Sequence, residues 1–279
     1  MTSSHQASVA GGLNKQHRSN LQKAIDDLWL GGADWRLWTH IAWLDARRRY
    51  SRSVLGPFWI TISLAAQVTV FGFVFGTLLK APRADYIPFI ALGLIFWRFI
   101  AQMLQSGAQV FIDQGELIKH LPGPVTRHVY CLMTKNLIVL AHTIFVFVGV
   151  ALFYGTDPGL AGFLVVPGLV LLVLNLFWVA LLLGLLSARF RDIPPVVDSV
   201  MMMFFYLTPI FWSPDMLGDK AVYLVFNPFY QLLEMVRAPL LGIVPSLTSY
   251  AIVIGGVFVG WTVTLVFFAR YRWRIAYWV

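Results

Sequence analysis

Hydrophobic residues divide the chain into a polar beginning and a series of long apolar segments. Residues 1–28 are rich in Ser, Gln, His and Asn, and we predict a flexible tail there. Six apolar segments follow, and each approaches or exceeds the roughly 17–25 residues that a helix needs to cross a bilayer. They cover residues 57–79, 86–111, 129–153, 160–188, 195–212 and 247–269. The pattern predicts an all-α integral membrane protein, with six transmembrane helices in a domain over residues 57–279.

An amphipathic helix is predicted between the tail and the first apolar segment. In DWRLWTHIAWLD, residues 34–45, most apolar side chains share one broad face at 100° per residue, with Trp35 and Trp38 on it and His40 opposite. A Trp-rich helix before a basic cluster fits one that lies in the membrane interface. A helix packed on a partner protein would have the same pattern. Residues 29–56 are therefore predicted to form an interfacial helix followed by a basic linker.

The stretch between the fifth and sixth apolar segments, residues 213–245, is interrupted. Asn227-Pro228 breaks it, and Glu234 and Arg237 add charges, so a straight lipid-facing span is not expected. We predict a re-entrant or interfacial helical hairpin between helices five and six. Such irregular backbone is tolerated at membrane depth where protein or a water-filled cavity surrounds it.

Composition agrees with a membrane protein, and the positive charges indicate its orientation. Hydrophobic residues make up 58% of the chain and charged residues 12%, whereas a soluble domain carries roughly 25% charged residues. A net charge of +8 would suggest nucleic acid for a soluble protein, but here the basic residues lie in patches between apolar spans. With both termini cytoplasmic, 15 of the 21 Lys and Arg residues lie on the inside and four on the outside. This asymmetry follows the positive-inside rule and predicts a multi-pass protein of the cytoplasmic membrane.

Motifs for catalysis and for metal binding are absent from the sequence. It contains no H-E-x-x-H, C-x-x-C or G-x-S-x-G pattern, so we predict no catalytic residue, no metal and no cofactor in this chain. Cys131 is the single cysteine, which excludes an intrachain disulfide. The P-loop pattern G-x-x-x-x-G-K-[ST] is missing too. If the protein is a pump, its ATPase must be another polypeptide.

One internal loop, residues 113–127, is a candidate contact site for a cytosolic partner. Part of it could form one or two helical turns before Pro122-Gly123-Pro124 ends them. The residues of this candidate turn are Glu116, Leu117, Ile118, Lys119 and His120. A short helix there would be a rigid handle for a partner, and a solvated connector is the alternative.

Candidate channel residues lie within and beside the apolar segments. Arg98 is near the middle of the second segment, where a charge is costly unless it faces protein or water. We therefore expect it at a subunit interface or along a translocation path, with Glu234 as a possible partner. Aromatic residues near the external mouth could form a gate or an ordinary interfacial belt. The candidate channel or gate residues are Arg98, Tyr206, Phe211, Trp212, Tyr230, Glu234 and Arg237.

Four motifs in order along the chain resemble those of the polysaccharide-export permeases of the ABC-2 type, and the resemblance covers about residues 35–279. They are ARRRYSRSVLGPFW at 46–59, GELIKHLPGP at 115–124, ARFRDI at 188–193 and NPFYQLLEMVR at 227–237. In that family the corresponding segments lead into the first span, form the short helix that couples to the ATPase, end the fourth span and form re-entrant gate helices.

The resemblance implies a homodimer on two nucleotide-binding ATPase subunits, which would hold ATP and Mg²⁺. It implies a lipid-linked glycan of the O-antigen, capsule or teichoic-acid kind as substrate, in a bacterial cytoplasmic membrane. Residues 116–120 would contact the ATPase. Four arginines could attract the anionic lipid pyrophosphate or could act in topology alone; they are Arg47, Arg48, Arg49 and Arg52. A secondary transporter and a membrane-embedded glycosyltransferase are the alternative interpretations.

Overall fold

The computed structural model describes residues 19–50, 58–80, 82–121 and 123–279, without the side chains of residues 46 and 48–50. Every regular element in these ranges is helical, which confirms the all-α class. The α-helices are α1 (Asn20–Ala33), α2 (Trp35–Tyr50), α3 (Phe58–Leu78), α4 (Arg83–Asp113), α5 (Gly115–His120), α6 (Thr126–Tyr154), α7 (Val165–Arg189), α8 (Ile193–Leu207), α9 (Pro228–Leu240), α10 (Leu247–Tyr271) and α11 (Ile275–Trp278). Short 3₁₀ helices cover Gly159–Leu164, Pro214–Phe226 and Arg272–Arg274.

Five helical segments in the described ranges are long and apolar enough to cross a membrane. They are α3, α4, α6, Gly159–Arg189 with α7, and Leu247–Trp278 with α10. The fifth predicted segment, 195–212, contains α8, which has 15 residues and ends at Leu207. At 1.5 Å per residue α8 is about 22 Å long, less than the roughly 30 Å of hydrocarbon. The sixth span therefore stays a prediction.

The central helix of the bundle is α4. Of its most apolar stretch 72% is buried, against 17% for α3 and 22% for each of α6 and α10. Small residues let α4 and α7 approach closely, since a Cβ built on Gly107 would lie 2.7 Å from the Cβ of Ala180. Close contacts of this kind are typical of helices packed in membranes. They give the bundle a rigid axis around which the other helices are arranged.

The helix α9 packs inside the bundle, against α4, α7 and α10. The side chain of Asn227 caps it by accepting hydrogen bonds from two N–H groups of its first turn, at 3.0 and 3.1 Å. Pro228 occupies the first helical position, where no N–H donor is needed. A Cβ on Gly168 of α7 would lie 2.1 Å from the carbonyl oxygen of Met235. The predicted break at Asn227-Pro228 is confirmed, while the membrane depth of residues 213–245 stays a prediction.

The polar N-terminal region contains a helix that hydropathy does not indicate. Residues 20–28, predicted as part of a flexible tail, belong to α1 instead, and residues 1–18 lie outside the described ranges. A capping box begins the helix: the Ser19 hydroxyl accepts from the Gln22 N–H, and the Gln22 side chain accepts from the Ser19 N–H. The buried residues of α1 are Ala24, Asp27 and Gly31. Because these positions are small or charged, α1 does not pack on the bundle through its apolar residues; Leu21, Ile25 and Trp29 are exposed instead.

The predicted interfacial helix corresponds to α2, which packs along α6. Trp38 stacks on Tyr130 with ring centroids 5.6 Å apart, and Ala42 is completely buried. Trp35 and Trp43 are both 56% exposed. Protein therefore covers part of the predicted apolar face, and the position of the remainder in the membrane interface stays a prediction.

Candidate functional site

Of the two forms considered for the loop 113–127, the short helix is present, as α5. Ile118 is buried at 8% relative exposure, while Leu117 is 42% exposed. Glu116 is 85% exposed, and its carboxylate lies 3.9 Å from Lys119 Nζ and 3.5 Å from His120 Nε2. One side of the helix thus anchors it to the bundle and the other is open. The helix α5 is therefore held rigidly against the bundle and has one accessible side, and we call it the handle. The ion pairs around Glu116 are too exposed to add much stability.

A contact that the sequence did not predict holds α5 from a second side. The Lys119 ammonium donates to the backbone oxygen of Val279 at 2.9 Å, and a Cβ on Gly115 would lie 3.3 Å from the Val279 side chain. Arg191 reaches the same segment, donating to the backbone oxygen of Trp278 at 3.1 Å. Lys119 and Val279 are 160 positions apart along the chain, and Arg191 and Trp278 are 87 positions apart. No local pattern could therefore indicate the contact.

Asp27 of α1 is the most enclosed acidic side chain beside this handle. One carboxylate oxygen accepts from the Thr126 N–H at 3.1 Å and from the Thr126 hydroxyl at 2.9 Å. The other accepts from Arg272 at 2.7 Å. Asp27 is only 6% exposed. The carboxylate thus joins α1 to the first residue of α6 and to the segment that follows α10.

Two further acidic residues repeat this arrangement along α6. Asp34 pairs with Arg127 at 2.6 Å, and Asp45 pairs with Lys135. We call the ion pairs of Asp27, Asp34 and Asp45 the N-terminal clamp. Each acid comes from the N-terminal helices or from the residue between them, and each base comes from α6 or from the 3₁₀ helix that follows α10. The clamp fixes α1 and α2 to the helix that begins just after α5.

The basic cluster after the clamp is only partly described. The helix α2 continues to Tyr50, so Arg47, Arg48 and Arg49 belong to it. The Arg47 side chain is exposed. The side chains of Arg48 and Arg49, and all of Arg52, lie outside the description. The proposed contact of this cluster with a lipid pyrophosphate stays a prediction.

Arg98 and Glu234 do not pair with each other. Arg98 is exposed, although eight consecutive residues before it on α4 are buried. Glu234 instead pairs with Arg237 on its own helix, where the guanidinium Nε donates to a carboxylate oxygen at 2.9 Å. Within the described ranges no acidic side chain pairs with Arg98. Its exposure agrees with a position on a subunit interface or a translocation path, which stays a prediction.

The buried side chain of Arg237 joins three parts of the structure. It is 1% exposed, donates to the Pro209 carbonyl at 2.5 Å and lies with its guanidinium carbon 4.0 Å from the ring centre of Phe89. The residue therefore ties α9 to α4 and to the chain just after α8. Its predicted place in a channel or gate is not tested by these contacts.

Three of the four predicted gate aromatics are neighbours. The rings of Tyr206 and Phe211 are 6.2 Å apart, and the Trp212 indole N–H donates to the Tyr206 carbonyl at 3.1 Å. Phe211 also contacts Phe75 of α3, at 5.0 Å between ring centres. Tyr230 lies apart on α9, without a ring contact to those three in the described part. The cluster packs the chain at the C-terminal end of α8 against α3.

The sequence is similar to known transport proteins over most of its length. The family profile of the ABC-2 type transporter matches residues 36–241, more than half of the chain. An O-antigen export system permease protein RfbA of Klebsiella pneumoniae is 28% identical over 194 residues, which are 68% of this chain and 74% of that protein. An O-antigen export system permease protein RfbA of Myxococcus xanthus is 23% identical over 201 residues, 70% of this chain and 76% of that one.

These matches agree with the apolar helices, and the family profile spans the residues that contain all four motifs. They confirm the resemblance and identify a multi-pass membrane subunit of a transporter. The chain belongs to the ABC-2 type transporter family.

Proposed function

We propose that this chain is the permease of an ATP-driven exporter that moves a lipid-linked polysaccharide across the bacterial cytoplasmic membrane. The observation that carries the proposal is the similarity to O-antigen export permeases over about two thirds of the chain. The polysaccharide would pass between two copies of the chain, with ATP hydrolysed by a separate subunit. Both termini would be cytoplasmic, as the distribution of Lys and Arg favours.

The ATPase would bind at α5. A handle that transmits force must be rigid and must be joined to the moving helices on both sides. The helix α5 follows α4 directly and precedes α6, and Ile118 anchors its inner side. The open side, with Glu116, Leu117 and His120, would be the surface that the ATPase contacts. Displacement of α5 would move the N-terminal clamp, since Thr126 and Arg127 are held by Asp27 and Asp34.

A second copy of the chain is part of the proposal for an electrostatic reason. Arg98 is exposed near the middle of a 31-residue apolar helix, and a guanidinium there is costly in contact with lipid. Two copies that face each other through this surface would enclose it. The aromatic cluster of Tyr206, Phe211 and Trp212 would then lie near the external mouth as a gate.

Co-purification with a P-loop ATPase tests the proposal. The tagged chain, expressed with its candidate ATPase, should retain that subunit in detergent, and cells should display the glycan only when both proteins are present. A Leu117→Glu variant should reduce retention, whereas an Ile62→Ser variant on the exposed surface of α3 should not. Transport driven by a proton or sodium gradient without any ATPase would instead indicate a secondary transporter and contradict the proposal.

A further inference from the structure

One stripe of α4 is polar and open, although the helix is otherwise the most buried in the bundle. Arg98, Gln102 and Asp113 are exposed, and the polar residues between them are half-buried. At 100° per residue all of them fall within an arc of about 100°. The stripe consists of Arg98, Gln102, Gln105, Ser106, Gln109 and Asp113. We call it the α4 polar stripe.

Only one face of this part of α4 is polar. The neighbouring residues of the helix point into the core; they are Phe96, Trp97, Phe99, Ile100, Met103 and Leu104, each at most 6% exposed. The stripe begins at Asp113, next to α5, and ends at Arg98, which is 15 residues away from that end of the helix. At 1.5 Å per residue this is about 22 Å, roughly half of the helix. A continuous polar surface thus runs from the handle to the middle of the span.

Lipid does not suit this surface, and neither does a dry contact with another protein. Amide and hydroxyl groups need hydrogen-bond partners when they leave water, and a guanidinium in hydrocarbon is costly. Gln102 donates to the Ser106 hydroxyl at 2.7 Å, which satisfies only part of the hydrogen-bonding capacity of the two side chains. A second copy packed tightly here would bring two Arg98 residues into a surface whose acid, Asp113, lies at the far end. Water must therefore reach the stripe.

We propose that the α4 polar stripe is a hydrated wall that hydrogen-bonds the sugar hydroxyls of the exported glycan; this rests on the proposed function. Glutamine and serine offer both donors and acceptors, as hydroxyl groups require. They recur at every turn of the helix, about every 5.4 Å, so a sliding chain can exchange one set of partners for the next. Several weak and equivalent contacts are what conduction requires, since a single tight site would retain its ligand.

The stripe ends at Arg98, because the residues before it on the helix are buried. Trp97, the neighbour of Arg98, is 6% exposed and packs in the core, with its ring 6.0 Å from Phe205 and 5.7 Å from Phe229.

Thiol accessibility tests the hydration of the stripe without any assumption about the substrate. Cys131 is the single cysteine, so a Cys131→Ser chain is a background for Gln102→Cys, Ser106→Cys and Gln109→Cys. A charged, membrane-impermeant maleimide should label these at least tenfold faster than Val70→Cys, a control that is 55% exposed on apolar α3. Labelling as slow as the control, or spontaneous disulfides between two copies at all three positions, would overturn the proposal.

Glycan export in cells that contain the ATPase tests the contact itself. A Gln102→Leu/Gln109→Leu pair should lower surface glycan at least tenfold at equal protein abundance and equal retention of the ATPase subunit, while Gln102→Asn/Gln109→Asn should retain most of it. Normal export by the leucine pair would overturn the glycan contact even if the stripe is labelled. If the unmodified chain exports no glycan, the proposed function fails and the glycan contact with it, while the maleimide result still decides hydration.

Discussion

Removal of the Asp27 carboxylate should release α1 from the bundle. Asp27→Ala removes the acceptor of the Thr126 N–H and the partner of Arg272. The Thr126 hydroxyl keeps the Asp27 carbonyl oxygen as an acceptor at 2.7 Å. A hydrogen bond to a charged group contributes about 1.5–3 kcal/mol, and loss of a side chain that caps a helix N-terminus costs about 1 kcal/mol. Arg272 is 27% exposed, so water compensates part of the lost ion pair. We expect a total of about 3 kcal/mol.

Hydrogen–deuterium exchange measures this loss directly, because α1 can open without global unfolding. Since 1.4 kcal/mol is a factor of ten, about 3 kcal/mol corresponds to roughly 100-fold faster exchange over residues 20–33. Thr126→Val, which removes only the hydroxyl donor, should give an increase of about tenfold or less. Lys23→Ala, an exposed position of the same helix, is the control. Exchange of the Asp27→Ala protein within twofold of the unmodified protein would refute the reasoning.

Three other substitutions test the packing of the bundle and its handle. Gly107→Val should destabilise the α4–α7 contact by about 1–3 kcal/mol through overpacking and lower the melting temperature in detergent, whereas Gly255→Ala, with no atom within 4 Å of the new Cβ, should not. Arg237→Met should cost about 3–5 kcal/mol in thermal unfolding because it leaves a partly buried carboxylate unpaired; an unchanged melting temperature would contradict its role in joining α9 to α4. Ile118→Ala should loosen α5 by about 2 kcal/mol or more, seen as faster amide exchange, while Leu117→Ala should leave exchange unchanged and weaken ATPase binding.

The elements that the sequence predicted best are those whose signal is local. Long apolar segments gave the bounds of α3, α4 and α6 to within a few residues, because hydrocarbon thickness fixes their minimum length. The break at Asn227-Pro228 was also predicted correctly, since Gly and Pro mark turns and helix ends. For the loop 113–127 the sequence left a short helix and a solvated connector open, and the structure shows the helix α5. The aromatic neighbours Tyr206, Phe211 and Trp212 are close in sequence, so their proximity in space could be expected.

The elements that the sequence did not predict depend on distant partners. The helix α1 contacts the bundle through small and charged residues, while its apolar residues Leu21, Ile25 and Trp29 are exposed. A local signal for the helix was the Ser19–Gln22 capping box. Asp27 was visible only as a charge in a polar segment, because its partners are 99 and 245 residues away. Glu234 was predicted as a possible partner of Arg98 from charge alone. In the structure it forms an ion pair with Arg237, one helical turn away on the same helix.

The N-terminal clamp also sets an order of events during synthesis. Asp27 leaves the ribosome early, but Arg272 is made 245 residues later, which at roughly 5–20 residues per second takes about 10 to 50 s. Until then the last span has not entered the membrane, and α1 has no complete binding site. The helix α1 can therefore dock completely only after the last span has been made and inserted. In a nascent or truncated chain α1 would be undocked and open to proteases, whereas in the finished subunit it would be protected.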